Sequence, residues 1–190
     1  NVELDPAVIE IARRISQPDS DPRIVMAAED ARRFIRRARG RYDAILIDLP
    51  DPSNAQLNRY YTVEFFSESR RALAPGGVLS FRLSGSENYT SPQMRRLESS
   101  VRRSCASVFK EVLVIPGSRQ FFIASDDPID YRIAERLEGM GIETRYVNRA
   151  YLSAKLTDDR IREANERMDT SARLNHDFIP ESYYAYLRYW

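Results

Sequence analysis

The chain has 190 residues, 43% hydrophobic and 30% charged, with a net charge of +1. That length gives one domain with room for a small appendage, and the near-neutral balance supplies no global field for nucleic acid or an acidic partner. One cysteine, Cys105, and one histidine, His176, exclude an internal disulfide and weigh against a zinc site or a histidine-based triad, while no apolar run reaches membrane-span length and no signal peptide is visible.

The sequence begins without a methionine, already inside a pattern. Asp5 reads as a helix cap with Pro6 at the first helical position, and Val8, Ile11, Ala12 and Ile15 predict the buried face. Glu3 falls just before that helix, at the end of a short strand. A carboxylate there either accepts hydrogen bonds from the two ribose hydroxyls of a nucleotide or is a solvated loop acid. Arg23–Ala28 predicts a second buried strand, ended by Glu29 and Asp30. Asp30 caps a helix whose inner face is Ala31, Phe34, Ile35 and Ala38. Arg32, Arg33, Arg36, Arg37 and Arg39 then form a solvated face; without interleaved aromatics they do not make a nucleic-acid stripe.

The stretch Tyr42–Pro52 is the centre of the chain. Ala44–Ile47 is a short apolar run rich in β-branched residues, which predicts a fully buried parallel strand. Asp48 stands where the run stops, and ligand crevices of open α/β sheets lie beyond the carboxyl ends of the strands. Pro50 and Pro52 hold Asp51 on a stiff loop. Two acids three residues apart at a strand mouth therefore suit binding or proton transfer, although Asp-Pro pairs also serve as plain turn punctuation.

Beyond this loop, Ser53–Tyr61 is polar and reads as a lid. Thr62 caps a helix through Phe65, Phe66, Ser69 and Leu73 that stops at Ala74-Pro75-Gly76-Gly77. Val78–Leu83 is the next strand, with Ser84-Gly85-Ser86 as the loop at its far end. Ser91-Pro92 opens a helix with Met94, Leu97, Val101 and Cys105 inward, so Cys105 packs as a small apolar residue. Lys110–Ile115 and Gln120–Ser125 make an antiparallel edge hairpin. The alternation of strand and helix over residues 1–128 gives an α/β fold with a doubly wound, Rossmann-like, mostly parallel sheet. Residues 129–190 form a helical and aromatic extension, with helices at 131–139 and 158–168 flanking an extended piece at 142–147. Its tail, Tyr183, Tyr184, Tyr186, Tyr189 and Trp190, either packs on the domain or meets another chain.

Five segments resemble a known family in their order: V-E-L-D-P-A-V-I-E-I-A, E-D-A-R-R-F-I, Y-D-A-I-L-I-D-L-P-D-P, Y-T-V-E-F-F and L-A-P-G-G-V-L. They are similar to the polyamine aminopropyltransferases, the spermidine synthases, from Asn1 to about Asp126. Tyr146-Val147-Asn148, L-N-H-D-F-I-P and the Tyr-rich end look like the spermidine-synthase-like proteins fused to membrane domains. The resemblance implies the class I S-adenosylmethionine-dependent methyltransferase fold. It also implies transfer of an aminopropyl group from decarboxylated S-adenosylmethionine to a polyamine such as putrescine, with no metal. Asp48 matches the family's proton acceptor and Asp51 the acid that holds the substrate amine. Glu3 matches the ribose-binding acid, Asp30 and Ala31 the pair at the adenine, and Asp48 and Leu49 also border the cofactor. The resemblance further implies a cytoplasmic protein, or one at the cytoplasmic face of the membrane through a fused domain, and allows a homodimer.

Three departures qualify it. The family's first strand and glycine-rich loop precede Glu3 and are missing, which implies an N-terminally truncated fragment, inactive alone, with a gap between the Glu3 and Asp48 strands. Arg82 stands where these enzymes often carry glutamine, and Glu111–Gly117 lacks their usual tyrosine. Two other readings stay open: an S-adenosylmethionine-dependent methyltransferase, for which a Mg²⁺ requirement would speak, and a non-catalytic nucleoside-binding or scaffold domain of a membrane protein.

Overall fold

A computed structural model describes residues 1–85, 91–142 and 144–189. Its first strands are short: β1 (Val2–Glu3) pairs in parallel with β2 (Ala27–Ala28), and α1 (Pro6–Ser16) connects them. Asp5 caps α1 by accepting from the Ala7 N–H at 2.8 Å. The expected inner face of α1 is not the buried one. Ile9 is buried, whereas Val8, Ile11 and Ile15 are exposed, because α1 packs mainly on the two residues of β1 and on the turn at Pro18–Ser20. The expected strand at Arg23–Ala28 also shrinks to its last two residues. Asp21 accepts from the backbone N–H of Arg23 at 2.9 Å and pairs with its guanidinium, which closes a turn where the strand would start and leaves Ile24 and Val25 exposed.

Asp30 caps α2 (Ala31–Arg37) through the Arg33 N–H at 2.9 Å. Ile35 is buried, and Ala31 and Ala38 lie half-buried against the core. Arg32, expected on the solvated face, is buried instead. After β3 (Tyr42–Ile47) come α3 (Ala55–Asn58), α4 (Val63–Ala72), β4 (Leu73–Ser84), α5 (Pro92–Ala106), β5 (Glu111–Ile115) and β6 (Arg119–Ser125). Tyr60 and Tyr61 are core residues, so the segment read as a lid is anchored at its end. The extension holds α6 (Ile133–Gly139), α7 (Arg149–Lys155), α8 (Asp158–Glu166) and α9 (Glu181–Leu187). No strand forms over the described residues of 142–147, where bends lead into α7, a helix the sequence reading lacks. Two expectations reach outside the described residues: the loop at Ser86 and the aromatic end at Trp190.

The main sheet has the order β3-β4-β6-β5, with β3 and β4 parallel and β6 antiparallel to both neighbours, so β3, β4 and β5 share one direction. β1 and β2 form a separate sheet. One face of the main sheet is the core. Leu79, Phe81, Leu83, Phe122 and Ala124 are nearly or fully buried there against α4 and α5, and Phe81 stacks on Phe122 at 4.9 Å between centroids. The period-two alternation of strands sends Leu46 and Arg82 to the other face. β3 is thus half-covered and not fully buried: it is an edge strand, Ile45 faces the core and Leu46 is 78% exposed. The opposite edge is capped, since Asn165 on α8 accepts from Val114 N–H at 3.0 Å and donates to the Val114 carbonyl at 2.9 Å.

Candidate functional site

Asp48 directly follows β3, and its side chain is 81% exposed on the open side of the sheet. Arg82, from the neighbouring strand β4, donates its Nε–H to Asp48 Oδ1 at 2.5 Å. The register that pairs Ile47 with Phe81 brings the two residues side by side. Three residues on, Asp51 Oδ1 accepts from the Ser84 backbone N–H at 2.8 Å, which ties the proline loop to the carboxyl end of β4. The Tyr61 hydroxyl holds the same loop from beneath, donating to the Pro50 carbonyl at 2.8 Å with a longer approach to that of Leu49 at 3.3 Å. Burial pushes the Tyr61 phenol well above its usual value; Asp51 and Asp48 add to the rise and Arg82 opposes it. Tyr61 therefore stays a donor, and its hydroxyl senses all three charged groups.

Glu98 on α5 is fully buried behind this loop. Its Oε1 accepts from the Gln120 amide at 3.1 Å, while among the described residues Oε2 and the Gln120 carbonyl oxygen have no hydrogen-bond partner. Burial pushes the Glu98 carboxyl up to about 7, against the pull of Arg167 and of Gln120, and the charge of Asp51 contributes to the rise. Spacing gives this residue away, because Glu98 lies three and seven residues before Val101 and Cys105 on the inward stripe of α5. Cys105 itself is buried, and burial raises its thiol far above the reactive range.

Asp48, Leu49 and Asp51 thus share one loop, which Arg82 and Ser84 of β4 and the Tyr61 hydroxyl hold in place. Asp30 reaches it indirectly: its carboxylate caps α2 and pairs with Arg59, two residues before Tyr61. These contacts hold its acid below the usual range despite partial burial, which acts the other way. Ala31 is the first residue of α2. Glu3 accepts from the Asp5 N–H at 3.1 Å and makes no hydrogen bond or ion pair to the Asp48 loop among the described residues. A separate cleft of about 900 Å³, lined by Gly40, Gly76 and Asp127, opens at the other end of the sheet and includes neither Asp48 nor Asp51. No group of three or more His, Cys, Asp or Glu placed to hold a metal occurs among the described residues. No described helix is long and apolar enough to cross a membrane.

Sequence reading missed a second cluster, centred on Arg32. All five of its N–H groups find acceptors: Nε and Nη2 on Glu68, Nη1 and Nη2 on Asp177, and Nη1 also on the Arg59 carbonyl. Burial alone would lower its basicity, but the two carboxylates outweigh this and raise it. Asp177 also accepts from the Thr62 hydroxyl at 2.8 Å. The C-terminal segment is thereby fastened to the residues that lead out of the Asp48 loop.

Fold comparison groups the chain with a spermidine synthase bound to the transition-state analogue AdoDATO, at a TM-score of 0.61 and 22% identity over 88% of this chain and 59% of that one. The Thermotoga maritima spermidine synthase gives 0.62 and 23%, over 88% and 60%. Human methyltransferase-like protein 13, in complex with SAH, gives 0.59 and 22%, over 82% and 76%. Identities this low establish the fold alone, a Rossmann-like methyltransferase type. Among curated relatives, polyamine aminopropyltransferase 1 of Streptomyces coelicolor is 45% identical over 40% of this chain and 16% of its own length. The Oceanobacillus iheyensis polyamine aminopropyltransferase is 31% identical over 77% and 29%. The chain therefore spans less than a third of the length of either relative. Residues 1–125, about two thirds of the chain and including both acids of the Asp48 loop, match the spermine/spermidine synthase domain, and the chain belongs to that family.

Proposed function

We propose that this chain supplies the acid-bearing part of an aminopropyltransferase site, in which decarboxylated S-adenosylmethionine alkylates an amine. The observation that carries this reading is the joining of Asp48 and Asp51 on one braced loop at the carboxyl ends of β3 and β4, within the residues that match the family. An acceptor amine with a pKa near ~10.4 is protonated at neutral pH and must lose a proton before it attacks. Asp48, exposed at the strand mouth, takes that proton. The nitrogen lone pair then forms a bond to the propyl carbon next to the sulfonium, and the carbon–sulfur pair leaves with sulfur as a neutral thioether. Asp51 holds the acceptor's far ammonium, which suits a polyamine such as putrescine. Glu3 receives the ribose hydroxyls. Asp30 fixes the turn that presents Ala31 to the adenine, since its own carboxylate is committed to Arg33 and Arg59, and Leu49 borders the nucleoside. The same reading places the protein in the cytoplasm or at the inner membrane face through a fused domain, with homodimer formation open to sedimentation.

A second reading, methyl transfer from S-adenosylmethionine, draws on the fold shared with the SAH-bound human methyltransferase-like protein. Product analysis on the protein that carries this chain, supplied with an amine and with decarboxylated S-adenosylmethionine or S-adenosylmethionine, separates the two: an amine bearing the propyl group marks the first and a methylated acceptor with SAH the second. For the transferase, Asp48→Asn lowers turnover by about 10²-fold or more and leaves nucleoside affinity unchanged, and raising the pH restores part of the rate as free amine accumulates. Near-normal turnover in Asp48→Asn removes Asp48 as the proton acceptor. Nucleoside binding without any transfer would leave a binding or scaffold domain.

A further inference from the structure

The transferase reading leaves Arg82 without a task, although it is the cation closest to the proposed base. Its Nε–H is used on Asp48 Oδ1, and among the described residues neither Nη1 nor Nη2 has a protein acceptor. The side chain is 23% exposed and Asp48 81%, so the pair stands at the site's opening. β4 holds Arg82 rigidly, with its strand neighbours Phe81 and Leu83 buried. A guanidinium fixed along one edge presents its two Nη groups as a planar fork, a geometry that matches a carboxylate and is not offered by lysine or an amide.

Charge balance leads the same way. Asp48 and Asp51 face the acceptor, and Arg82 cancels one of their charges. Asp51 is held by the Ser84 N–H, two residues beyond Arg82 on β4, so all three stand at one strand mouth. A bare dication meets one uncompensated carboxylate and a repelling guanidinium there. A diamine that also carries a carboxylate places two ammonium groups on the acids and its own anion on the fork.

We infer that Arg82 is a carboxylate-recognition residue of this site, selecting a reactant that bears an α-amino-acid carboxylate. The inference rests on the transferase reading and narrows its substrate class. The carboxylate has two sources of the same chemistry: the acceptor, as in ornithine, which is putrescine with a carboxylate added, or the alkyl donor, as in S-adenosylmethionine compared with its decarboxylated form. The bonds made and broken are the same in both cases. With the carboxylated donor, the transferred group is 3-amino-3-carboxypropyl and the sulfur again leaves as a thioether.

The test crosses both donors with both acceptors on the protein that carries this chain, reading affinity by calorimetry and kcat/KM by product formation. At one of the two positions the carboxylated reactant should be preferred by about 10-fold or more, the size expected for a charge-assisted pair. Arg82→Gln should abolish that preference, chiefly through KM, while Arg82→Lys, which keeps the charge and loses the fork, should retain a part of it. Thermal melts of both variants identify any loss of fold. A wild type without preference at either position overturns the inference, as does an Arg82→Gln change that weakens carboxylated and decarboxylated reactants alike, which would make Arg82 only a positioner of Asp48. If reactants bind with the Arg82-dependent preference but no donor–acceptor pair gives product, the transferase reading fails and the recognition role stands.

Discussion

The side-chain amide of Asn175 donates to the backbone carbonyl of Tyr61 at 2.9 Å, across 114 residues of sequence. Asn175 is fully buried, and its other polar groups are also engaged: its N–H on the Ser104 hydroxyl, its carbonyl on Val63 N–H and its side-chain oxygen on Ser182 N–H. Tyr61 in turn grips Pro50. The C-terminal segment thus reaches the Asp48 loop through one intermediate residue.

The strength of this fastening is testable at Arg32. Arg32→Met should destabilise the protein by about 2–4 kcal/mol, because among the described residues it leaves buried Glu68 with Arg36 alone and half-buried Asp177 with only the Thr62 hydroxyl. Arg32→Lys should recover only part of this, since three donors cannot serve the acceptors that five now reach. Urea midpoints of the three proteins measure the effect. A Met variant within about 0.5 kcal/mol of wild type would mean that the network contributes little.

Glu98 should make stability depend on pH in a definite direction. Below its ordinary value of 4.5 both folded and unfolded chains hold the proton; above about 7 neither does. Between these limits the folded chain alone is protonated, so this contribution is complete below 4.5 and disappears as pH rises through about 7, a loss on the order of 3 kcal/mol. Glu98→Gln cannot ionise. The stability difference between variant and wild type should therefore shift in the variant's favour across that window. A difference independent of pH would show that Glu98 titrates normally.

Gly85 adjoins the Ser84 N–H that holds Asp51. A Cβ at position 85 would lie 2.3 Å from the Gly117 carbonyl oxygen and 2.6 Å from Gln120 Cγ, so the hairpin turn must move to admit it. Gly85→Ala should cost about 1–3 kcal/mol in chemical denaturation. In the proposed reaction it should raise KM for the amine more than it lowers kcat, as loss of binding shared by ground and transition states does. Equal stability of the two proteins would show that the turn yields freely.

Elements with strong local signals were legible before any coordinates. The Thr62 and Ser91 caps, the inward stripe of α5 and the hairpin stand where turn chemistry and period place them. Asp48 follows its strand because a parallel strand must stop somewhere, and its apolar run marks the stop. The family and its fold were also readable, from acidic segments in a fixed order. Burial was read less well. Periodicity tells which residues share a face but not whether anything covers it, so Val8, Ile11, Val25 and Leu46 read as interior and are exposed. Arg32 failed in the opposite sense: partners 36 and 145 residues away, Glu68 and Asp177, make its burial tolerable, and no local window contains either. The Arg82–Asp48 pair required strand register, which a single sequence does not carry.

The distance in sequence between Arg32 and Asp177 has a consequence for synthesis. A ribosome adding roughly 5–20 residues per second delivers Asp177 about 7–30 s after Arg32. During that interval the nascent chain already contains Arg32, and soon Glu68, but not the carboxylate that completes the guanidinium's set of acceptors. The contacts of Asn175 and Asp177 with Tyr61, Thr62 and Arg32 can form only after that interval, so the docking of this segment comes late in synthesis. Slow codons or chaperone contacts along residues 126–173 would lengthen the wait, and that stretch is where the yield of folded protein should respond most to the pace of translation.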